Sequence, residues 1–252
     1  MTYTLDELRR IDATVSDRIG WDFSRMRDRR AARPWDYETV VPSIVADDAE
    51  VLDQGTGGGE LILRLAGSFK TCLAIDRSGD MLADATRNLL RSGVSNITFA
   101  RMDTAALGLA DASFDAVINR HAQFNPAEIA RVLRPGGYFV TQQVPADRNA
   151  GTLFDCFEWG GDFPDDWLVP MRTQVQEFER EGLRIVGLAD YSIDWWIEDV
   201  ESLLFWLPSV PTPAEFDLER HWEGFNVAEA RLRDANGFRT QEVRDLLVAQ
   251  RV

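Results

Sequence analysis

The chain has 252 residues, 45% of them hydrophobic, which is enough for one sizeable core and too apolar for disorder. Forty-two acids against 27 bases leave a formal charge of −15, which repels phosphate backbones and argues against a nucleic-acid substrate. No run of about 18 apolar residues exists to span a membrane, the N-terminus does not read as a signal peptide, and two distant cysteines fit a reducing cytoplasm without a metal site.

In chain order, residues 1–44 read as a charged helical segment. Arg25, Arg27, Arg29, Arg30 and Arg33 form a basic cluster within it. Such a run either docks an acidic partner or lines a solvated helix face, and Asp22, Asp28 and Asp36 favour the solvated face. Trp35 and Tyr37 either close over a bound cofactor or anchor the segment to the core. Val51-Leu52 then enters a buried strand that ends at Asp53. Gly55, Gly57 and Gly59 come next at alternate positions before a helix opens around Leu61. Glycines there permit positive φ, let a ligand lie on the main chain, and lead into unpaired helix N–H groups.

The spacing discriminates between cofactors. A dinucleotide fingerprint needs G-x-G-x-x-G, and Glu60 stands where its third glycine belongs. Asp53, Gly55, Gly57 and Gly59 instead make D-x-G-x-G-x-G, which resembles the first motif of class I S-adenosylmethionine-dependent methyltransferases. The segments beyond the loop keep that family's order. Thr71–Ile75 reads as a second strand with Asp76, 21 residues past Gly55, positioned to accept from a ribose diol. Ile97–Met102 reads as a third, ending at Asp103-Thr104, where the resemblance implies an acceptor for the adenine amino group. Phe114–Ile118 leads into Asn119-Arg120-His121, and Leu133-Arg134-Pro135-Gly136-Gly137 resembles the family's turn before its fifth strand.

Short apolar runs alternating with helical segments such as 80–91 and 126–134 specify parallel strands with crossover helices. The expected fold is α/β: a doubly wound, Rossmann-like, seven-stranded and mostly parallel sheet with helices on both faces. Residues 1–44 would form an N-terminal lid segment and 45–252 the methyltransferase domain, with an aromatic-rich insertion at 151–225. In such sheets ligands sit outside the carboxyl ends of the strands. Asp53, Gly55, Gly57, Asp76, Arg77, Asp103, Thr104 and Asn119 are therefore the expected cofactor-binding residues.

Residues 151–225 hold 14 of the chain's 26 aromatic residues, among them Trp159, Phe163, Trp167, Trp195, Trp196, Phe205, Trp206 and Trp222. Such density suits either an apolar ligand pocket or an ordinary core. The stretch 207–213 reads as a proline-rich connector and 243–249 as a last strand. Asp53 to Glu60 (D-Q-G-T-G-G-G-E), Ile118 to His121 (I-N-R-H), Thr141 to Val144 (T-Q-Q-V) and the segment from Phe205 to Asp217 also resemble a poorly characterised bacterial group of these methyltransferases.

The resemblance implies S-adenosylmethionine as cofactor and in-line methyl transfer to an O or N nucleophile of a small molecule. Histidine is the common general base, which makes His121 the catalytic candidate. Arg120 pairs with either a substrate carboxylate or an internal acid, and the internal acid is the simpler expectation. Gln142 and Gln143 alternate across a strand, so only one can face the crevice. A noncatalytic S-adenosylmethionine- or S-adenosylhomocysteine-binding protein is the main rival reading, and an NAD-dependent oxidoreductase is the weaker one.

Overall fold

The computed structural model describes residues 2–15, 23–146, 148–157, 159, 171–210 and 215–252. In chain order the elements are α1 (Leu5–Val15), β1 (Asp28–Arg30), α2 (Tyr37–Ile44), β2 (Glu50–Gln54), α3 (Glu60–Arg64), β3 (Thr71–Asp76), α4 (Gly79–Ser92), β4 (Ile97–Arg101), β5 (Phe114–Arg120), α5 (Pro126–Val132), β6 (Leu133–Gln143), α6 (Gly151–Phe154), α7 (Val175–Arg180), β7 (Leu183–Ile197), α8 (Val200–Trp206), α9 (Leu218–Leu232), β8 (Arg233–Asp234) and β9 (Gly237–Arg251).

Among the described residues the strands make one sheet of order β1-β7-β9-β6-β5-β2-β3-β4, with β8 paired to β9. The run from β6 through β5, β2 and β3 to β4 is parallel, as the alternation of strands and helices predicts. β9 runs antiparallel to β6, and β1 antiparallel to the end of β7. The sheet has nine strands rather than the expected seven. β1 and β8 are too short and polar to announce themselves, and β7 lies inside the segment read as an insertion.

The chain divides into two compact units, one of residues 34–143, 170–190 and 245–252, the other of residues 1–33, 144–169 and 191–244. β7 and β9 contribute residues to both. In the first unit the strands are apolar on both faces, as buried parallel strands must be. Val51, Ile118 and Val140 pack with Tyr37, Val41, Ile62 and Leu65 on one face. Leu52, Val117 and Phe139 pack with Ile129, Val132 and Phe178 on the other. The crossover helices start where the sequence offers caps. Ser78 Oγ accepts from Met81 N–H at the head of α4, and Asn125 accepts from Ala127 N–H before Pro126 opens α5.

The second unit is built on aromatic rings. Phe154 stacks on Trp206 with centroids 5.8 Å apart, and Phe157 stacks on Trp159 at 5.2 Å and meets Phe225 edge-on. Trp159, Trp195, Phe205 and Trp206 are all buried in this cluster, so these rings are packing rather than an open ligand wall. Phe163, Trp167, Asp22 and residues 211–213 lie outside the described residues.

The basic cluster differs in part from its expectation. Asp28–Arg30 is a strand rather than part of a helix, but all five arginines are exposed as the solvated reading expects, and several of them also pair with acids of the same unit. Arg30 Nε and Arg33 Nε donate to the buried Glu242 carboxylate at 2.6 and 2.9 Å, and Arg27 pairs with Asp199 at 2.5 Å. Burial works against the Glu242 charge, but Arg244, Arg33 and Arg30 outweigh it and hold the carboxyl down at about 2.

Candidate active site

β2 ends at Gln54 and the chain turns through Gly55 and Gly57, whose φ angles are +74° and +57°. This is the left-handed region that costs other residues about 1–2 kcal/mol. The turn is stitched to the next strand. Gly55 N–H and Thr56 N–H both donate to Ile75 C=O at 2.8 and 3.0 Å. Gly57 N–H donates to Asp76 Oδ2 at 2.9 Å. A side chain at Gly55 would also collide with the loop after β5, since a Cβ there would lie 2.2 Å from that of Ala122. Sterics and hydrogen bonding thus draw the ends of β2, β3 and β5 together.

The expected site residues fall around this point in different states. Asp53 is buried on the face shared with Val51. Desolvation pushes its pKa up to about 7, opposed by the Thr56 hydroxyl and reinforced by Asp76. Asp76 is half-buried at the tip of β3, and its Oδ1 accepts from Ser78 N–H at 2.8 Å. Each carboxylate oxygen therefore already takes one backbone N–H and keeps a further lone pair for a ligand hydroxyl. Arg77 is exposed, and its carbonyl accepts from Arg101 Nε. Met102 N–H donates to Asp76 C=O at 3.1 Å, which sets the end of β4 beside that of β3. Beyond it Asp103 is exposed, with Oδ1 taking Ala105 N–H, and Thr104 is half-buried.

Asn119 departs from the expected role. It is fully buried, and its amide oxygen accepts from Gln143 Nε2 at 2.8 Å and Thr141 Oγ1 at 3.1 Å. Its backbone N–H donates to the Tyr37 hydroxyl, and that hydroxyl donates onward to the carbonyls of Asn119 and Val140. The Asn119 side chain braces the strand end from inside and presents nothing at the surface. Tyr37 is accordingly an anchor: burial and the neighbouring Asp53 raise its pKa and keep its hydroxyl a donor.

His121 is exposed at φ +60°, with its N–H donating to Gln142 C=O at 2.9 Å and its Nε2 lying 2.8 Å from Gln142 Nε2. Both glutamines of the fifth parallel strand therefore serve the end of β5, from opposite faces: Gln142 holds His121 and Gln143 holds Asn119. One site feature escaped the reading of the sequence. Gln54 is fully buried, and neither end of its amide has a partner among the described residues. An unpaired buried amide costs about 1–3 kcal/mol and marks a place for water or a polar ligand atom. Two successive polar residues, Asp53 and Gln54, at the end of a buried strand were the available signal.

The comparisons with known proteins bear on this part of the chain. Residues 51–137 match the family model described as a methyltransferase domain. That match agrees with the resemblance of the glycine-turn motif to class I S-adenosylmethionine-dependent methyltransferases. The chain is 32% identical over 142 residues to the arsenite methyltransferase of Aquipseudomonas alcaligenes, covering 50% of this chain and 41% of that one. It is 28% identical over 152 residues to the fatty-acid O-methyltransferase of Mycolicibacterium smegmatis, covering 57% and 52%. It is 32% identical over 136 residues to the trans-aconitate 2-methyltransferase of Deinococcus radiodurans, covering 50% and 49%. The chain thus spans about half the length of the curated relatives it matches. A solved putative methyltransferase from Bacillus halodurans shares the fold, with a TM-score of 0.63 at 18% identity over 85% of this chain and 96% of that one.

S-adenosylmethionine is the cofactor of the methyltransferase domain, and the residues present suit it. They supply a turn of exposed main chain, a carboxylate at the tip of β3 and an unpartnered buried amide at the tip of β2.

Proposed function

We propose that the chain is a methyltransferase that passes the methyl group of S-adenosylmethionine to an oxygen or nitrogen of a small molecule. The observation that carries this reading is the clasp between Gly57 N–H and the Asp76 carboxylate inside the matched domain. It fixes a carboxylate against a glycine turn at the ends of adjacent parallel strands, where α/β sheets bind ligands. In this reading the cofactor supplies the activated methyl group. Asp76 accepts from the ribose hydroxyls, and Arg77, Asp103 and Thr104 border the adenine. Gly55 and Gly57 leave room along the main chain, Asp53 faces the cofactor's cationic end, and Asn119 contributes by bracing β5.

His121 would serve as base for an acceptor that must lose a proton. To take it at Nδ1, the ring must carry its own proton on Nε2, which requires the Gln142 amide to present oxygen. Amide oxygen and nitrogen are interchangeable in outline, so the residues allow that state. Two of the named relatives act on carboxylic acids, which puts acids first among acceptors to try. The formal charge of −15 weighs against a nucleic-acid acceptor. Among the described residues no helix is long and apolar enough to cross a membrane. A cytoplasmic site of action and membership of the bacterial group with the I-N-R-H motif belong to the same reading.

Calorimetric titration with S-adenosylmethionine, S-adenosylhomocysteine and NAD tests it. Only the adenosyl sulfur ligands should bind, and Asp76→Ala should weaken them by about 1.5–3 kcal/mol. Binding of NAD instead would sink the reading. Binding without turnover over a panel of acids, amines and phenols would favour the noncatalytic alternative.

A further inference from the structure

Arg120 stands at the carboxyl end of β5, in register with Gln142 of β6 and directly before His121. Side chains alternate along a strand, so Arg120 belongs to the face of Ile118, which packs with Val51 and Val140. On that face Asp53 is the register partner of Ile118. Arg120 thus shares the strand-end face with the buried carboxylate beside the glycine turn.

No acid among the described residues makes the internal pair expected for it. Among the described residues Arg120 donates to no hydrogen bond and joins no ion pair. The titratable groups facing it are Tyr37, Glu38, Arg64 and Asp36. Glu38 holds Arg64 in a two-point contact, at 2.6 and 2.9 Å. Asp36 Oδ1 caps α2 by accepting from Glu38 N–H. Tyr37 donates its proton to backbone carbonyls. Arg120 is exposed to water, yet enough protein surrounds it for desolvation to lower its pKa. Arg120 is thus a solvent-accessible guanidinium at the strand end, on the face that carries Asp53. Such a group presents five donors in a planar fork that matches a carboxylate edge.

We propose that Arg120 is the carboxylate-recognition residue of this site, gripping the carboxylate of a bound small molecule at two points. The inference rests on the methyltransferase reading, which supplies two sources for that group: the amino-acid end of the cofactor, or an acidic acceptor. Either gains a charge-assisted pair beside the reacting centre, and Gln142 in register with Arg120 couples that contact to His121.

The test compares the wild type with Arg120→Gln and Arg120→Lys, each first checked for a cooperative thermal transition. S-adenosylhomocysteine and 5′-methylthioadenosine, the same nucleoside thioether without the amino acid, are titrated calorimetrically. The Arg120 Nε–H signal, assigned from the variants, is followed by NMR during addition of acetate against a chloride control. If the cofactor carboxylate is gripped, Arg120→Gln weakens S-adenosylhomocysteine about tenfold or more and leaves methylthioadenosine unchanged, with Lys intermediate. If the acceptor's is gripped, both nucleosides bind as before, and acetate shifts the Arg120 signal saturably in the S-adenosylhomocysteine complex. A signal that ignores acetate, together with equal effects or none on the two nucleosides, overturns the proposal. Should the wild type bind neither nucleoside, the functional reading fails by itself, and the acetate titration of the unliganded protein still decides the role of Arg120.

Discussion

The two units of the chain solve opposite problems with the same backbone. The parallel-stranded unit gathers its unusual residues at strand ends: glycines at positive φ, a buried carboxylate with a raised pKa, an unpartnered amide and a left-handed histidine. Each is unfavourable alone, and together they mark the proposed binding edge. The aromatic unit spends its large side chains on one another, ring against ring, and its buried charge is fully compensated by arginines. Strain gathers at the strand ends where a ligand is expected, while the aromatic unit, apart from Ala150 at φ +55° and the unpartnered Trp159 indole N–H, is dominated by packing. Composition alone would have pointed to the aromatic unit for a ligand.

Phe225→Ala is the strongest way to break that contrast. The ring is fully buried against Phe157 and Phe216. Its removal should cost about 3–5 kcal/mol of stability, read by chemical denaturation. Affinity for S-adenosylhomocysteine, measured well below the new midpoint, should stay as it was. A loss of affinity in the folded variant would mean that the aromatic cluster serves the ligand after all.

Legibility in the sequence divides along the same line. The strands 71–76, 97–101 and 114–120 were legible because short apolar runs end abruptly at Asp76, Asp103 and Asn119. The glycine turn was legible because glycine is the residue that takes its φ angles at least cost. β1 was not, since the three residues Asp28-Arg29-Arg30 carry no periodicity and owe their extended form to pairing with Ile197, Trp196 and Trp195. β7 hid behind its aromatic residues, although Leu183, Ile185, Gly187 and Ala189 alternate with polar or exposed positions. Asn119 illustrates the limit within the site. Its place after a strand was readable, but whether its amide faced a ligand or the interior depended on Thr141 and Gln143, more than 20 residues away.

Asp53 sharpens the comparison through pH. Its folded pKa of about 7 lies above its unfolded value, so the stability it contributes is fully present below about pH 4 and is lost as pH rises towards 7. Relative to Asp53→Asn, which cannot ionise, the wild type should lose on the order of 3–4 kcal/mol between pH 4 and pH 8. Paired urea titrations at the two pH values measure this directly. A difference that does not change with pH would mean that water or a cation reaches Asp53, and the strand end would then be less dry than its burial indicates.

The smallest effect lies at His121, where backbone and side chain can be separated. At φ +60° any residue with a Cβ bears a steric cost that glycine escapes. His121→Gly should therefore be more stable than His121→Ala by about 1 kcal/mol, the reverse of the order those residues show in an ordinary helix. Both variants lose the contact with Gln142, so that loss cancels between them and the difference reports the backbone alone. If alanine proves as stable as glycine, the loop relaxes without the ring, and it is the Gln142 contact that holds His121 in its left-handed turn. If glycine wins, the turn is imposed by the strand ends around it, and the imidazole is presented from a frame that exists independently of the side chain.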